Sequence, residues 1–293
     1  MSVRVRTAVI AALLALAGTA ACAPEDEATP AASSSTNASP SADACTRDQL
    51  DLVSAGTFTV GTDKPAYSPW FVDDDPNNGK GFESAVAYAV AEKLGFDKPE
   101  VKWIVVPFTN AYAPGDKKFD IDINQVSISD ARRKAVDFSS GYYDVAQAVV
   151  STKGSKIDGA TSVAELKDAK LGAQVGTTSY TAITDQIQPT AKPAVYDTND
   201  LAVQALKNGQ VDGIVVDLPT AFGIVAVQLD DGAIVGQLPA GTGTPDQFGL
   251  VLAKGSPLTS CVSQAVDALK SDGTLADLEA QWLAGTDGAP VLS

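Results

Sequence analysis

Histidine is absent from all 293 residues, which removes His-based acid–base chemistry and the commonest zinc ligand. Cysteine is scarce. The three present are Cys22, Cys45 and Cys261, and their spacings fit neither a zinc site nor a Cys-x-x-Cys redox pair. Cations are also few: 21 Lys and Arg stand against 36 Asp and Glu, for a net charge of −15. A surface this acidic repels nucleic-acid phosphates and argues against broad adhesion to anionic lipid headgroups. Past the N-terminal leader no run of about 18 apolar residues occurs, so no later segment reads as a membrane span. What is present is a composition 45% hydrophobic and 19% charged, which suits a globular body. The length suffices for two lobes, at roughly 100–200 residues each.

The N-terminus opens with Arg4 and Arg6, followed by the apolar run Thr7 to Gly18 and the small residues Thr19, Ala20 and Ala21. This reads as a secretory signal peptide over 1–21, too short for a stable span. A cysteine directly after such residues resembles a bacterial lipobox. That resemblance implies that Cys22 is diacylated and anchors the chain to the outer face of the cell membrane. Thr19 stands where Leu is usual. The alternative is an ordinary secreted protein cleaved nearby. Loss of the leader takes away Arg4 and Arg6 and no acid, so the mature chain is more acidic still. Residues 22–44 are rich in Ser, Ala and Pro with almost no large apolar side chains, and read as a flexible tether spanning on the order of 25 Å.

From Thr57 onward strand and helix signals alternate. Strands are expected at 58–62, 101–106, 119–124, 146–152, 170–175, 211–217 and 248–254. Helices are expected at 83–94, 200–207, 258–270 and 275–283. Gly95 reads as the C-terminal cap of the first, and Thr198 or Asn199 as the N-cap of the second. Ser162 and Glu165 have capping-box spacing before a further short helix. Such alternation implies an α/β protein with parallel or mixed sheets covered on both faces. The expected organisation is one lobe from 45–146 plus 247–293 and a second from 151–243. Two extended crossings, at Ala146–Ser151 and Gln247–Leu252, would form the hinge, with the ligand site in the cleft. Cys45 and Cys261 then bracket the first lobe, and a disulfide between them is plausible in an oxidising compartment. Two separate buried thiols are the alternative. Asp73, Asp74 and Asp75 lack the spacing of a calcium loop and read as a solvated turn. No metal and no cofactor are expected.

Five segments resemble one family: VGTDKPAYSPWF (60–71), GKGFESAVAYAVAEKLGF (79–96), KFDIDINQVSISDARRKAVDFSSGYYDVAQAVV (118–150), SVAELKDAKLGAQVGTT (162–178) and GQVDGIVVDLPTA (209–221). In this order and spacing, over about 45–285, they resemble the extracellular solute-binding proteins, family 3, of polar amino-acid ABC importers. The resemblance implies a two-lobed periplasmic-binding-protein-like fold of type II. It also implies a monomer that binds an amino acid or related zwitterion and delivers it to a permease with its ATPase.

The same resemblance implies the site. Arg132, in SISDAR, would grip the ligand's α-carboxylate with its planar fork. Asp217, ending VDGIVVD, would accept the α-ammonium, its alternative being an N-cap for the next helix. Ser127 would bond the ligand by hydroxyl or backbone, and Gly176, Thr177 and Thr178 would form an N–H-presenting turn. Tyr67 or Trp70 would supply one aromatic wall, and Phe108 and Tyr112 the opposite one. Each aromatic is equally readable as core. Asp63 lies where some relatives meet a cationic side chain. Asn124-Gln125-Val126 replaces the usual Ala-Gly-Met or Ser-Ser-Leu, and brings Asn124 and Gln125 within reach of the ligand side chain. Some relatives of the fold are enzymes, with Glu83 as a conceivable catalytic carboxylate here, and a sensing surface lipoprotein is a further alternative.

Overall fold

The computed structural model describes residues 45–240, 246–286 and 288–293. The leader, Cys22 and the whole tether lie outside the described residues, as do the sequence readings made on them.

In chain order the elements are β1 (Phe58–Thr62), α1 (Phe82–Lys93), β2 (Val101–Val105), α2 (Phe108–Ala111), β3 (Ile121–Asp122), α3 (Asp130–Arg133), β4 (Val136–Val145), β5 (Gln147–Thr152), β6 (Leu171–Gln174), α4 (Thr178–Ala182), β7 (Ala194–Tyr196), α5 (Asn199–Lys207), β8 (Gly213–Asp217), α6 (Leu218–Gly223), β9 (Gly232–Gln237), β10 (Asp246–Ala253), α7 (Leu258–Ser271) and α8 (Thr274–Trp282). They build two five-stranded sheets, ordered β2-β1-β3-β10-β4 and β7-β6-β8-β5-β9. Within the first, β1 runs parallel to β2 and β3, and β10 runs antiparallel to β3 and β4. Within the second, β6 runs parallel to β7 and β8, and β5 antiparallel to β8 and β9. Both sheets are therefore mixed, in the expected α/β class.

Periodicity explains the layers. On α1 the residues Val86, Val90 and Leu94 fall on one face at helical spacing, and all three are buried in a core shared with α7 and α8. Val106, Phe119, Val126, Phe138 and Val251 fill the opposite face of the first sheet. On β5, Ala148 and Val150 pack to one side and Val149 to the other, as a strand covered on both faces requires. Local caps agree. Thr198 Oγ1 accepts from Leu201 N at 3.2 Å, Gly95 takes a left-handed φ of +86°, and Ser162 with Glu165 closes a capping box on a 3₁₀ turn rather than an α-helix. The acidic run folds into a turn: Asp74 accepts from Ala66 N at 2.7 Å and Asp75 from Asn77 N at 3.0 Å.

Cys45 and Cys261 are bridged, with Cα atoms 5.3 Å apart across 216 residues of sequence. The bridge ties the start of the described chain to α7. A loop this long contributes about 4–5 kcal/mol in the chain-entropy account, as an upper figure.

The passages between the sheets differ from those expected. β4 and β5 are separated by Ala146 alone, and β5 belongs wholly to the second sheet, while β10 belongs wholly to the first. The C-terminus also departs from the expected lobe, because it does not stay with the first sheet. Leu283 packs in the first half's core, whereas Ala289 and Leu292 pack in the second's. Gln237 pairs with Val291, Leu292 N donates to Gln237 O at 2.9 Å, and Val163 N donates to Ser293 O at 3.0 Å. The physical reason is burial: Leu292, 1% exposed, fills the space over Gly236.

Candidate functional site

A cavity of about 50 Å³ lies between the two sheets. Its first wall comes from Thr62 and Asp63 after β1, Tyr67, Phe108 on α2, Asn124, Gln125, Ser127 and Arg132. Its second wall comes from Gln174, Thr177, Thr178, Asn199 and Asp217. These are the ends of β1, β3, β6 and β8 and the starts of α4 and α5, where backbone donors emerge unpaired.

Arg132 is the third residue of the single turn of α3, whose N-cap Ser129 accepts from Arg132 N at 3.3 Å. That turn aims the side chain back under the strand end, where it is 8% exposed. Nη1 donates to Ser127 O at 2.6 Å, and Nη2 donates to Gly176 O, in the other half, at 2.8 Å. The guanidinium carbon stands 4.4 Å from the centre of the Tyr112 ring and 5.6 Å from that of Phe108. Burial pulls its pKa below the ordinary value, with Tyr112 and Asp217 opposing, but an arginine keeps its charge.

Asp217 closes the buried strand β8, and its Oδ1 accepts from Gln147 Nε2 at 2.7 Å. It stands at the N-cap position of α6, yet its side chain makes no cap bond, so the carboxylate is not committed to the helix. Burial pushes its pKa up to about 7, opposed by the Gln147 bond and the charge on Arg132. Asp63 is oriented by two backbone donors, Lys64 N at 2.7 Å and Phe108 N at 3.1 Å.

Three of the sequence-identified residues lie outside the cavity lining. Trp70 is 0% exposed and sits in the first core against Phe82, Tyr143 and Phe248. Its indole N–H donates to Thr220 on α6 at 2.8 Å, so it joins the halves instead of walling the cavity. Of the two aromatics left open, Tyr67 is the one at the cavity. Asp200 stands near it, and burial together with that carboxylate raises its pKa. Tyr112 stacks behind Arg132 and reaches Gly176 O at 3.3 Å. Gly176 offers this carbonyl to Arg132 and Tyr112, with a left-handed φ of +72°. Ser127 and Thr178 meet hydroxyl to hydroxyl at 3.0 Å across the gap, and Thr177 caps α4 by accepting from Tyr180 N at 3.2 Å.

Sequence reasoning missed Thr62, Gln174 and Asn199. Thr62 Oγ1 and Asn124 Nδ2, on residues lining the cavity, are buried without hydrogen-bond partners among the described residues, an arrangement that costs free energy unless a bound molecule supplies them.

Residues 58–285 match the bacterial extracellular solute-binding proteins, family 3. The chain belongs to that family. Among family 3 relatives it is 31% identical over 233 residues to an L-cystine-binding protein of Escherichia coli, covering 78% of this chain and 82% of the relative. It is 26% identical to an L-arginine-binding protein of Pseudomonas aeruginosa, over 80% and 92% of the two chains. Among solved structures it is similar to an ancestral arginine-binding protein bound to arginine, with a TM-score of 0.63, 31% identity, and coverage of 78% of this chain and 99% of that one.

Proposed function

We propose that this protein is the extracytoplasmic binding component of an ABC importer, that it captures a polar amino acid between its two halves, and that it hands the amino acid to the permease. One observation supports the reading above the others. Arg132, buried, and Asp217, half-buried, line one cavity from opposite halves, and among the described residues neither has a salt-bridge partner. A zwitterion brings the two charges each lacks: its carboxylate pairs with the guanidinium fork and its ammonium with Asp217. Bonds made to both halves at once favour the closed arrangement, which supplies the differential affinity that closure needs. The relatives named for cystine and arginine bind amino acids of different side-chain chemistry, so the shared head-group contacts are the transferable part. The protein works as a monomeric carrier with no chemical turnover, held to the membrane by lipidated Cys22.

Equilibrium dialysis against the twenty amino acids and L-cystine tests this. The wild type binds at least one, and Arg132→Ala loses about 2–5 kcal/mol of that binding. Binding of none by the wild type, or undiminished binding by Arg132→Ala, overturns the proposal.

A further inference from the structure

Glu83 lies in the first turn of α1, and it is 0% exposed. Its Oε1 accepts from the backbone N–H of Gln125 at 2.7 Å and from the Tyr142 hydroxyl at 2.5 Å, and its Oε2 accepts from Gln125 Nε2. Gln125 has φ +49°, a left-handed conformation that costs a non-glycine residue about 1–2 kcal/mol. In that conformation both N–H groups of Gln125 turn to one carboxylate, and the two bonds offset the strain.

A carboxamide has one nitrogen and one oxygen. An ionised carboxylate accepts only, so it takes the nitrogen and turns Oε1 away from itself. Gln125 lines the cavity, and among the described residues no protein donor is recorded at Oε1. Beside it Asn124, 6% exposed and also in the lining, has an Nδ2 with no partner among the described residues. Two adjacent lining residues thus carry an acceptor and a donor not used by the protein, apart from the Arg132 and Asp217 pair.

The geometry points to Glu83 as a positioning residue that holds the Gln125 carboxamide oxygen-first toward the cavity, so that the site selects amino acids whose side chain carries an N–H donor. This deepens the proposed function and rests on it. A Glu83 that only pinned α1 to the 124–127 loop would leave ligand choice unchanged.

Protonation separates the two roles. Burial pushes Glu83 up to about 7, against the bonds from Tyr142 and Gln125. The charged and titratable groups facing it are Tyr142 on β4, Asp122 on β3 and Asp217 on β8, with Arg132 beyond Asp217. Once protonated, Glu83 becomes a donor at one oxygen, and the carboxamide is free to turn its nitrogen to the cavity. The preference for a ligand N–H is therefore full above that pKa and fades below it. Asp217 adds its own pH dependence, but equally for every α-amino acid, so the ratio between two amino acids isolates Glu83.

The probes are L-glutamine, which bears a side-chain N–H, and L-norleucine, which does not. At about pH 8, above the Glu83 pKa, the wild type favours glutamine by about tenfold, and at about pH 6 the ratio narrows. Glu83→Gln makes the ratio independent of pH, and Gln125→Gly, which suits the left-handed backbone, brings it near one. In ligand-free protein labelled with [¹⁵N]glutamine, the Gln125 side-chain resonance titrates near neutral pH and stops doing so in Glu83→Gln. A preference for glutamine that survives Gln125→Gly, or a Gln125 resonance that does not titrate, overturns the inference. Failure of the wild type to bind any amino acid sinks the proposed function instead. The ligand-free resonance then still judges the clamp, supporting it if it titrates and overturning it if flat.

Discussion

Half-buried Asp217 and buried Arg132 act on each other only at long range, and the cost of desolvating both charges is what a bound zwitterion would relieve. Asp217, pushed up to about 7 by burial, is close to half protonated at neutral pH in the ligand-free protein. An ammonium beside it favours the carboxylate, so binding releases a proton and affinity falls as pH drops below about 7. The ligand-free fold responds with the opposite sign. Its raised carboxyls, Asp217 and Glu83, add stability that is full below the ordinary carboxylate range and lost as pH rises through about 7. Calorimetry near neutral pH in two buffers of different ionisation enthalpy should show proton release on binding, and proton uptake would contradict this assignment. At this scale the sequence was partly legible. Arg132 and Asp217 stand in segments whose order and spacing mark them. Trp70 did not declare itself, because an aromatic in a loop reads alike as core or as wall until its neighbours Phe82, Tyr143 and Phe248 are known. Glu83 was read from the sequence only as a conceivable catalytic carboxylate, and its bond to Gln125 was not legible because that partner lies 42 residues away.

Elements with strong internal periodicity were legible, and of the four edge strands β2 was expected at 101–106 while β4, β7 and β9 were not. The buried strands β5, β8 and β10 are continuous apolar runs, and α7 carries an apolar stripe into the core. β7 and β9 escaped because they are the two edges of the second sheet. One is a three-residue AVY and the other, GAIVGQ, contains two glycines, so neither shows a strand signal. The C-terminal return was invisible because its register is set by Gln237 and by the space over Gly236, both far away in sequence. Close approach of elements also sets the geometry between the halves. Gly223, the last residue of α6, packs so tightly on the Tyr67 to Trp70 loop that a Cβ there would lie 2.4 Å from Ser68 O. Because backbone opposes it, Gly223→Ala forces α6 away from the loop and strains the Trp70–Thr220 bond. The expected result is a larger radius of gyration by X-ray scattering and ligand affinity lower by about tenfold. An unchanged affinity would show that this contact does not set closure.

The described residues form two sheets linked through Ala146 and tied again by the returning C-terminus, and the whole chain is strongly negative. A body this acidic is repelled by an anionic membrane surface, so the proposed carrier relies on lipidated Cys22 as its anchor. Replacing Cys22 with Ala should move the protein from the membrane fraction to the medium, as read by fractionation and immunoblotting. Retention at the membrane would contradict lipid anchoring there. The central claim is that one zwitterion spans the gap between Arg132 and Asp217. Isothermal titration with the tightest-binding amino acid, its decarboxylated amine and its deaminated acid tests it most directly. Each analogue leaves one buried charge unpaired, so each should bind weaker by roughly 2–5 kcal/mol. Either analogue binding as tightly as the parent amino acid would contradict the account.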